Sequence, residues 1–486
     1  DLFSSQTVSK LSELVSSAGD QSEAGEQGVL SGISGLLPIQ DWYFSDVWEG
    51  VSHFNQAVLL TLSRRVSFEV VSLCMQRLVH QHDALRFVYQ KDASGVFTQH
   101  YGGEVASGLL SYHDLSGLGG VGLSEALSQQ ASALQGSLDI YTGDLVRAGY
   151  FEMPSGESYN RLLIVVHHLA VDGVSWRVVL EDLQSLIDQH QSGQLLDLGS
   201  KGYSYRQWHQ WLSGYGASGR ALGQLPYWER SVRGSGRLVT DGSYVGRVLL
   251  SQTGSIRSEL GVSDTDLLLH HCSRAYQTEI NDILLCALRE SVGSILEGGE
   301  LLVGLEGHGR EVLDSGADLS RTVGWFTSLY PVLLRGDWAW GDAGSSLKSI
   351  KEQLRQVPDK GLGYGVLKYM NGVEPLAGAD PWEVVFNYLG QFDNVVGRLG
   401  HFGGTPSGED AGHSIAGSYR IRYKLSVTAV IREHRLVLDW NYSTLHFDRS
   451  SIERLSGLYI SSLQGLISHC VQQVSAVRTP SDYGLG

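Results

Sequence analysis

Cysteine is scarce in this chain. Cys74, Cys272, Cys286 and Cys470 stand far apart, and no two form a CxxC pair. That excludes a disulfide framework and a cysteine-based zinc or dithiol motif. Cys74 and Cys286 sit in apolar helical patterns and read as small core residues. HExxH and GxSxG are also missing, which removes zincin-type and nucleophile-elbow hydrolases. No apolar run approaches the roughly 18 residues of a membrane-spanning helix, and the N-terminus shows no basic-then-apolar leader. The expectation is a soluble, unexported, cytoplasmic protein without a membrane partner. Positive charge is in deficit, 36 Lys and Arg against 52 Asp and Glu, for a net charge of −16. Nucleic acid is therefore not an expected partner. Proline is sparse (9) while glycine is plentiful (60), which gives many turns without a disordered or collagen-like composition. With 42% hydrophobic residues over 486, the chain has core enough for a compact globular enzyme.

What is present concentrates around His167-His168-Leu-Ala-Val-Asp172-Gly173-Val-Ser175-Trp176-Arg177. The apolar run 162–166 reads as a buried strand. After it, Trp176, Val179, Leu180, Leu183, Leu186 and Ile187 share one helical face. A histidine pair leaving a strand, with Asp and Gly at a helix entry, sets an imidazole at the mouth of a preorganised turn. Imidazole has the unperturbed pKa nearest neutrality, which suits it to proton transfer. Adjacent strand residues point to opposite faces, so only one of the pair can face a site. Asp172, just before Gly173 and an apolar-periodic helix, predicts an N-cap or a buried ion pair. His270-His271 is an internal control: a second pair inside an apolar helical pattern, lacking the Asp-Gly, and expected to be structural. Gly117–Gly122 satisfies GxGxxG but follows no convincing apolar strand, and it reads as a loop.

The HHxxxDG pattern resembles the core motif of the condensation-domain superfamily of nonribosomal peptide synthetases. Its continuation into VSWR resembles the form found in epimerization domains. Residues 38–42 (PIQDW), 53–56 (HFNQ), 82–86 (HDALR), 306–311 (EGHGRE), 322–327 (TVGWFT), 358–365 (PDKGLGYG) and 386–393 (FNYLGQFD) resemble the other family blocks, in the family's order. EGHGRE, GWFT and FNYLGQFD are the blocks specific to epimerization domains. Periodicity alone gives an α/β or α+β class. The resemblance implies a V-shaped pseudo-dimer of two chloramphenicol-acetyltransferase-like lobes with a tunnel at their interface.

The same resemblance implies an activity: epimerization, L to D, of the α-carbon of an aminoacyl or peptidyl thioester. The substrate would ride on the phosphopantetheine arm of a peptidyl carrier domain, and an enolate would form by acid–base proton transfer. No intrinsic cofactor, metal or pyridoxal phosphate is implied. His168, matching the second His of the motif, and Glu306, matching the first Glu of EGHGRE, are the implied catalytic pair. His167, Asp172, Gly173, His308, Arg310, Asn387 and Tyr388 are implied as supports, with Arg310 the candidate partner of Asp172. Enolate charge could be met by the helix N-terminus at Gly173, a protonated His168 or Tyr388. Implied partners are a carrier domain upstream, a condensation domain downstream and an adenylation domain of the same assembly line, around a monomeric domain. Two alternatives stand beside this reading. One is a condensation domain forming a peptide bond, against which EGHGRE speaks. The other is an inactive carrier-docking module, against which an intact His168 and Glu306 speak.

Along the chain, residues 1–17 resemble the closing helix of a carrier domain, a stray amphipathic helix being the plainer alternative, and 18–28 read as a linker. A first lobe is expected over 29–204, a crossover over 205–237 and a second lobe over 238–486. Expected elements include a helix over 68–79, a strand over 84–89, a helix over 281–291 and strands over 301–305 and 383–386. Glu306 is placed in a Gly-rich turn whose glycines admit close approach of a substrate. Alternation at Leu425, Val427, Ala429 and Ile431, then Leu436 and Leu438, predicts a hairpin turning at Glu433-His434.

Overall fold

The structure is a computed structural model that describes residues 25–46, 48–103, 108–233, 237–297, 299–313, 316–336, 341–391, 400–403 and 409–484. The expected helix over 1–17 and most of the 18–28 linker lie outside the described residues.

Two large sheets carry the architecture among those residues. The first contains β1 (Asn55–Ser63), β2 (Leu110–Asp114), β3 (Val146–Glu152) and β4 (Tyr159–His167). The second contains β5 (Thr253–Leu260), β6 (Glu300–Gly307), β7 (Ser328–Arg335) and β8 (Val384–Gln391). A short strand, β9 (Phe402–Gly403), returns to the first sheet. The hairpin β10 (Leu425–Arg432) and β11 (Arg435–Ser443) completes the second. The orders are β9-β1-β4-β3-β2 and β7-β6-β8-β10-β11-β5. Pairing is antiparallel except for β2 with β3, β6 with β8 and β8 with β10. Mixed sheets of this kind, covered by helices, are an α/β arrangement.

The strongest periodic signals become the central elements. After Tyr159, every residue of β4 is buried, as its continuous apolar run requires. The helix α1 (Gly173–Gln191) follows a short turn at His168–Ala170 and buries the predicted face from Trp176 to Ile187. The helix α2 (Ile280–Val292) packs on the second sheet with α3 (Arg449–Gln472). Residues 205–233 form three helices, within which Trp208, Trp211 and Tyr215 stack. The large core cluster around β1 and β4 also takes in Leu302 and residues between Ala317 and Trp382. β9 pairs Phe402 with Leu62, so the later part of the chain supplies the edge of the first sheet.

Three expectations are corrected. The strand over 84–89 is a tight turn, Asp83–Arg86, and then a strand, Phe87–Lys91. Ala84, Leu85 and Arg86 are buried in succession rather than alternately, and the Arg86 guanidinium folds back on Asp83. The stretch 117–122 is only half a loop: a helix (Gly120–Gln135) begins within it, and β2 precedes it. β2 is a partly exposed edge strand, so it carries no apolar run to betray it. His270 and His271 are exposed at the end of a helix (Val262–His270), with His270 held 3.0 Å from Asp266. Cys272 and Cys470, distant in sequence, are both free thiols buried in the second core.

Candidate functional site

His167 ends β4, and its backbone N–H donates to Leu145 O at 2.8 Å. Its ring is fully buried. Nε2 lies 3.0 Å from Val51 O, and Nδ1 accepts from the Leu169 N–H at 3.2 Å. Desolvation presses its pKa down to about 3, and the hydrogen bond to Val51 opposes that only in part. This is a neutral, structural histidine.

His168 occupies the first position of the turn and faces elsewhere. It is half-buried, lying between Phe54, stacked at 5.4 Å, and Trp325, at 4.2 Å. Nδ1 lies 2.9 Å from Val171 O and Nε2 lies 2.9 Å from Gln56 Nε2. Desolvation lowers its pKa from the usual value, opposed by the backbone and by the nearby charge of Asp172. The turn is pinned from beneath. Gln40, wholly buried in the PIQDW block, donates to Leu169 O at 3.1 Å and is itself held by Gln99 and Tyr89.

Asp172 caps α1, accepting from the Ser175 N–H at 2.7 Å. Both its oxygens also meet Arg310 Nη2, at 3.1 and 3.2 Å, and Oδ2 accepts from the Phe326 N–H. Arg310 further donates to the carbonyls of Leu319 and Thr322 and lies 4.0 Å over the Phe326 ring. Both charges are buried. The pair therefore locks the histidine turn to the segment that follows Glu306. Gly173, next in chain, is the exposed first residue of α1.

Glu306 lies within β6, opposite Leu329, rather than in a turn. Its parity is that of Leu302, whose side chain joins the first core, while Leu301, Val303 and Leu305 face the second. The side chain keeps contact with solvent while the surrounding protein partly desolvates it. Burial pushes its pKa up to about 7, and the 2.5 Å bond donated by Asn387 works against that rise. Asn387 comes from the adjacent parallel strand β8, one residue beyond the Leu305–Phe386 pairing.

The structure does not bring Tyr388 to this group. Val384, Phe386 and Tyr388 share the face of β8 that packs on the second core, opposite to Asn387. His308 is exposed and ties the loop together, its Nδ1 accepting from the Arg310 N–H and its Nε2 lying 3.3 Å from buried Glu311. Gly309 has a different use from the one expected of the EGHGRE glycines. At φ +66°, a Cβ there would stand 1.6 Å from Phe326 O, so it admits the neighbouring backbone rather than a substrate. Phe54, Gln56 and Trp325, which surround His168, lie in the HFNQ and TVGWFT blocks but carry no titratable group that would mark them in sequence.

A family model described as Condensation domain matches residues 31–484. Bacitracin synthase 3 of Bacillus licheniformis is 35% identical over 492 residues, covering 100% of this chain and 7% of that protein. Surfactin synthase subunit 2 of Bacillus subtilis (strain 168) is 36% identical over 485 residues, covering 99% of this chain and 13% of that protein. The chain thus spans a small part of these curated relatives. The crystal structure of the epimerization domain from the third module of tyrocidine synthetase B is similar with a TM-score of 0.85 and 33% identity. That match covers 93% of this chain and 100% of the other.

Proposed function

The chain belongs to the condensation-domain family of nonribosomal peptide synthetases and has its mixed α/β fold, and from that premise we propose that it epimerizes the α-carbon of an aminoacyl or peptidyl thioester. The observation that carries this reading is Glu306: a carboxyl group with a pKa near 7, open to solvent and held by Asn387. Peptide-bond formation needs one base, to take a proton from the attacking amine. Inversion removes the proton from one face and returns one to the other, a task suited to a second proton-transfer group, the rival being a single base reached from both faces as the substrate rotates. A histidine lowered toward its neutral form, in the turn after β4, and a carboxyl raised to about 7, on β6, fit the second task. The likeness to the tyrocidine synthetase epimerization domain supports the same choice.

In this mechanism the thioester arrives on the phosphopantetheine of a carrier domain. One of His168 and Glu306 takes the α-proton. The C–H electron pair delocalises onto the thioester oxygen as an enolate, and the other group delivers a proton to the opposite face of the carbon. Neutral His168 and a Glu306 that is part protonated at pH 7 can begin from either the L or the D thioester. The Asp172–Arg310 pair acts by fixing the turn and touches no reacting atom. Carrier, adenylation and condensation domains of one cytoplasmic assembly line are the partners this reading calls for.

The test is direct. A carrier domain is loaded with an L-aminoacyl phosphopantetheine and incubated with the domain, and the D/L ratio is measured after thioester cleavage. A mixture approached from both L and D loaded carriers is expected. Unchanged configuration with a folded preparation, or a new peptide bond when two loaded carriers are supplied, would overturn the reading.

A further inference from the structure

One polar side chain in the candidate site has its roles forced from both ends. The Trp176 indole can only donate, and its Nε1 lies 2.7 Å from Gln56 Oε1. The Gln56 oxygen therefore faces Trp176, and its NH2 faces His168. That NH2 lies 2.9 Å from His168 Nε2, and an amide nitrogen cannot accept, so Nε2 is the unprotonated nitrogen. The proton then sits on Nδ1, 2.9 Å from the Val171 carbonyl, which can only accept. An obligate donor at one end and an obligate acceptor at the other leave a single consistent assignment. His168 is the neutral Nδ1–H tautomer, with the Nε2 lone pair held by Gln56.

We propose that Gln56 is a positioning residue that keeps His168 in its neutral, base form and sets its proton affinity, with Trp176 fixing which way the carboxamide faces. The inference rests on the reading of His168 as a proton-transfer group, but it concerns a property of the imidazole that is measurable without substrate. An imidazolium would direct Nε2–H at the NH2 of Gln56, donor against donor. Relief requires the carboxamide to turn over, which then sets its NH2 against the indole N–H. Protonation of His168 costs one hydrogen bond wherever the amide settles, and bonding to the neutral form disfavours the charged one. Burial also favours the neutral ring, but it does not choose which nitrogen carries the proton. Phe54 and Trp325 carry no charge, and His167 is neutral. Asp172 favours the imidazolium, although Arg310 shares its charge. Gln56 thus works against Asp172. A proton that reaches His168 is held in a strained network and is readily handed back.

The experiment is a titration of the domain carrying 15N-labelled histidine, with the His168 signals identified by their loss in His168→Gln. Imidazole nitrogen shifts report which nitrogen bears the proton. In the unaltered protein, Nδ1 is expected to be protonated and Nε2 bare through neutral pH. Gln56→Glu places a carboxylate that accepts from both Trp176 and an imidazolium; it should raise the midpoint by about one pH unit or more, a tenfold change in proton affinity. Gln56→Met should raise it less. Trp176→Phe frees the amide to turn, so it should raise the midpoint when Gln56 is present and leave it unmoved in the Gln56→Met background. That dependence is one a merely structural role would not produce. A proton on Nε2 in the unaltered protein, or an unmoved midpoint in Gln56→Met and Trp176→Phe, overturns the proposal even where Gln56→Glu fails to fold. The expected shifts in a domain that inverts no thioester would leave this inference standing and remove the epimerase reading. Unmoved midpoints in a domain that inverts its substrate would do the reverse.

Discussion

The turn bearing His168 and the strand bearing Glu306 are built on opposite terms. Around His168 both ring nitrogens are engaged, two aromatic rings cover its faces, and a buried Asp172–Arg310 pair anchors the next residues. Glu306 stands in a regular ladder, faces solvent and, among the described residues, has one side-chain hydrogen bond, from Asn387. Yet desolvation moves both toward their neutral forms, lowering the histidine and raising the carboxyl. A tightly packed turn and a more open strand position reach the same end because the surrounding protein withdraws water from both groups, and that penalises charge.

The comparison predicts that either side, once removed, stops the chemistry. His168→Ala and Glu306→Gln should each lower thioester inversion by about 10²- to 10⁴-fold, the usual contribution of a general acid or base. Near-normal inversion in one of them would leave a single base and end the symmetry between the sides.

A difference should appear in stability. Asp172→Ala leaves the Arg310 charge buried without its partner, at about 3–5 kcal/mol by the behaviour of other buried pairs. Asn387→Ala, on the open side, should cost about 1 kcal/mol. Urea unfolding of the two variants measures both, and equal losses would show that the Glu306 strand is as tightly built as the turn.

The pH dependence of stability should have opposite signs on the two sides. His167 refuses a proton until about pH 3 and His168 is also lowered, whereas an unfolded histidine takes one near about 6.5. The histidine side therefore loses stability as pH falls below that value. Native Glu306 keeps its proton up to about pH 7, whereas an unfolded glutamate releases it near about 4.3. The Glu306 side loses stability as pH rises through that window. Glu306→Gln should match the unaltered protein near pH 4 and become the more stable of the two above pH 7, read by urea midpoints at both ends. The smallest effect belongs to the other histidine pair. His271→Ala should change stability by no more than about 0.5 kcal/mol and leave inversion untouched, since the ring is exposed.

The parts of this site legible in sequence were those with a period or a fixed local spacing. β4 announced itself by a continuous apolar run, α1 by its buried face, and the Asp172 cap by its place before Gly173. Parity was legible only where the extent of a strand was known. Because β8 runs on through Asn387 to Gln391, Tyr388 turns toward the second core. The Trp176–Gln56–His168 chain was not legible, for its members lie 112 and 120 positions apart and none of the spacing is local. Gly309 was marked by the motif, but the reason for it, the carbonyl of Phe326, comes from a separate segment.

β9 has a consequence for the making of the chain. Phe402–Gly403 closes the edge of a sheet whose other strands end at His167, so a growing chain must hold that edge open across more than two hundred further residues. Unpaired β1 backbone is, during that interval, a template for any passing strand. A fragment ending near residue 238 carries the same open edge permanently, along with a core deprived of Trp325, Tyr364 and Trp382. The first sheet is thus begun early and closed only after most of the chain has been made.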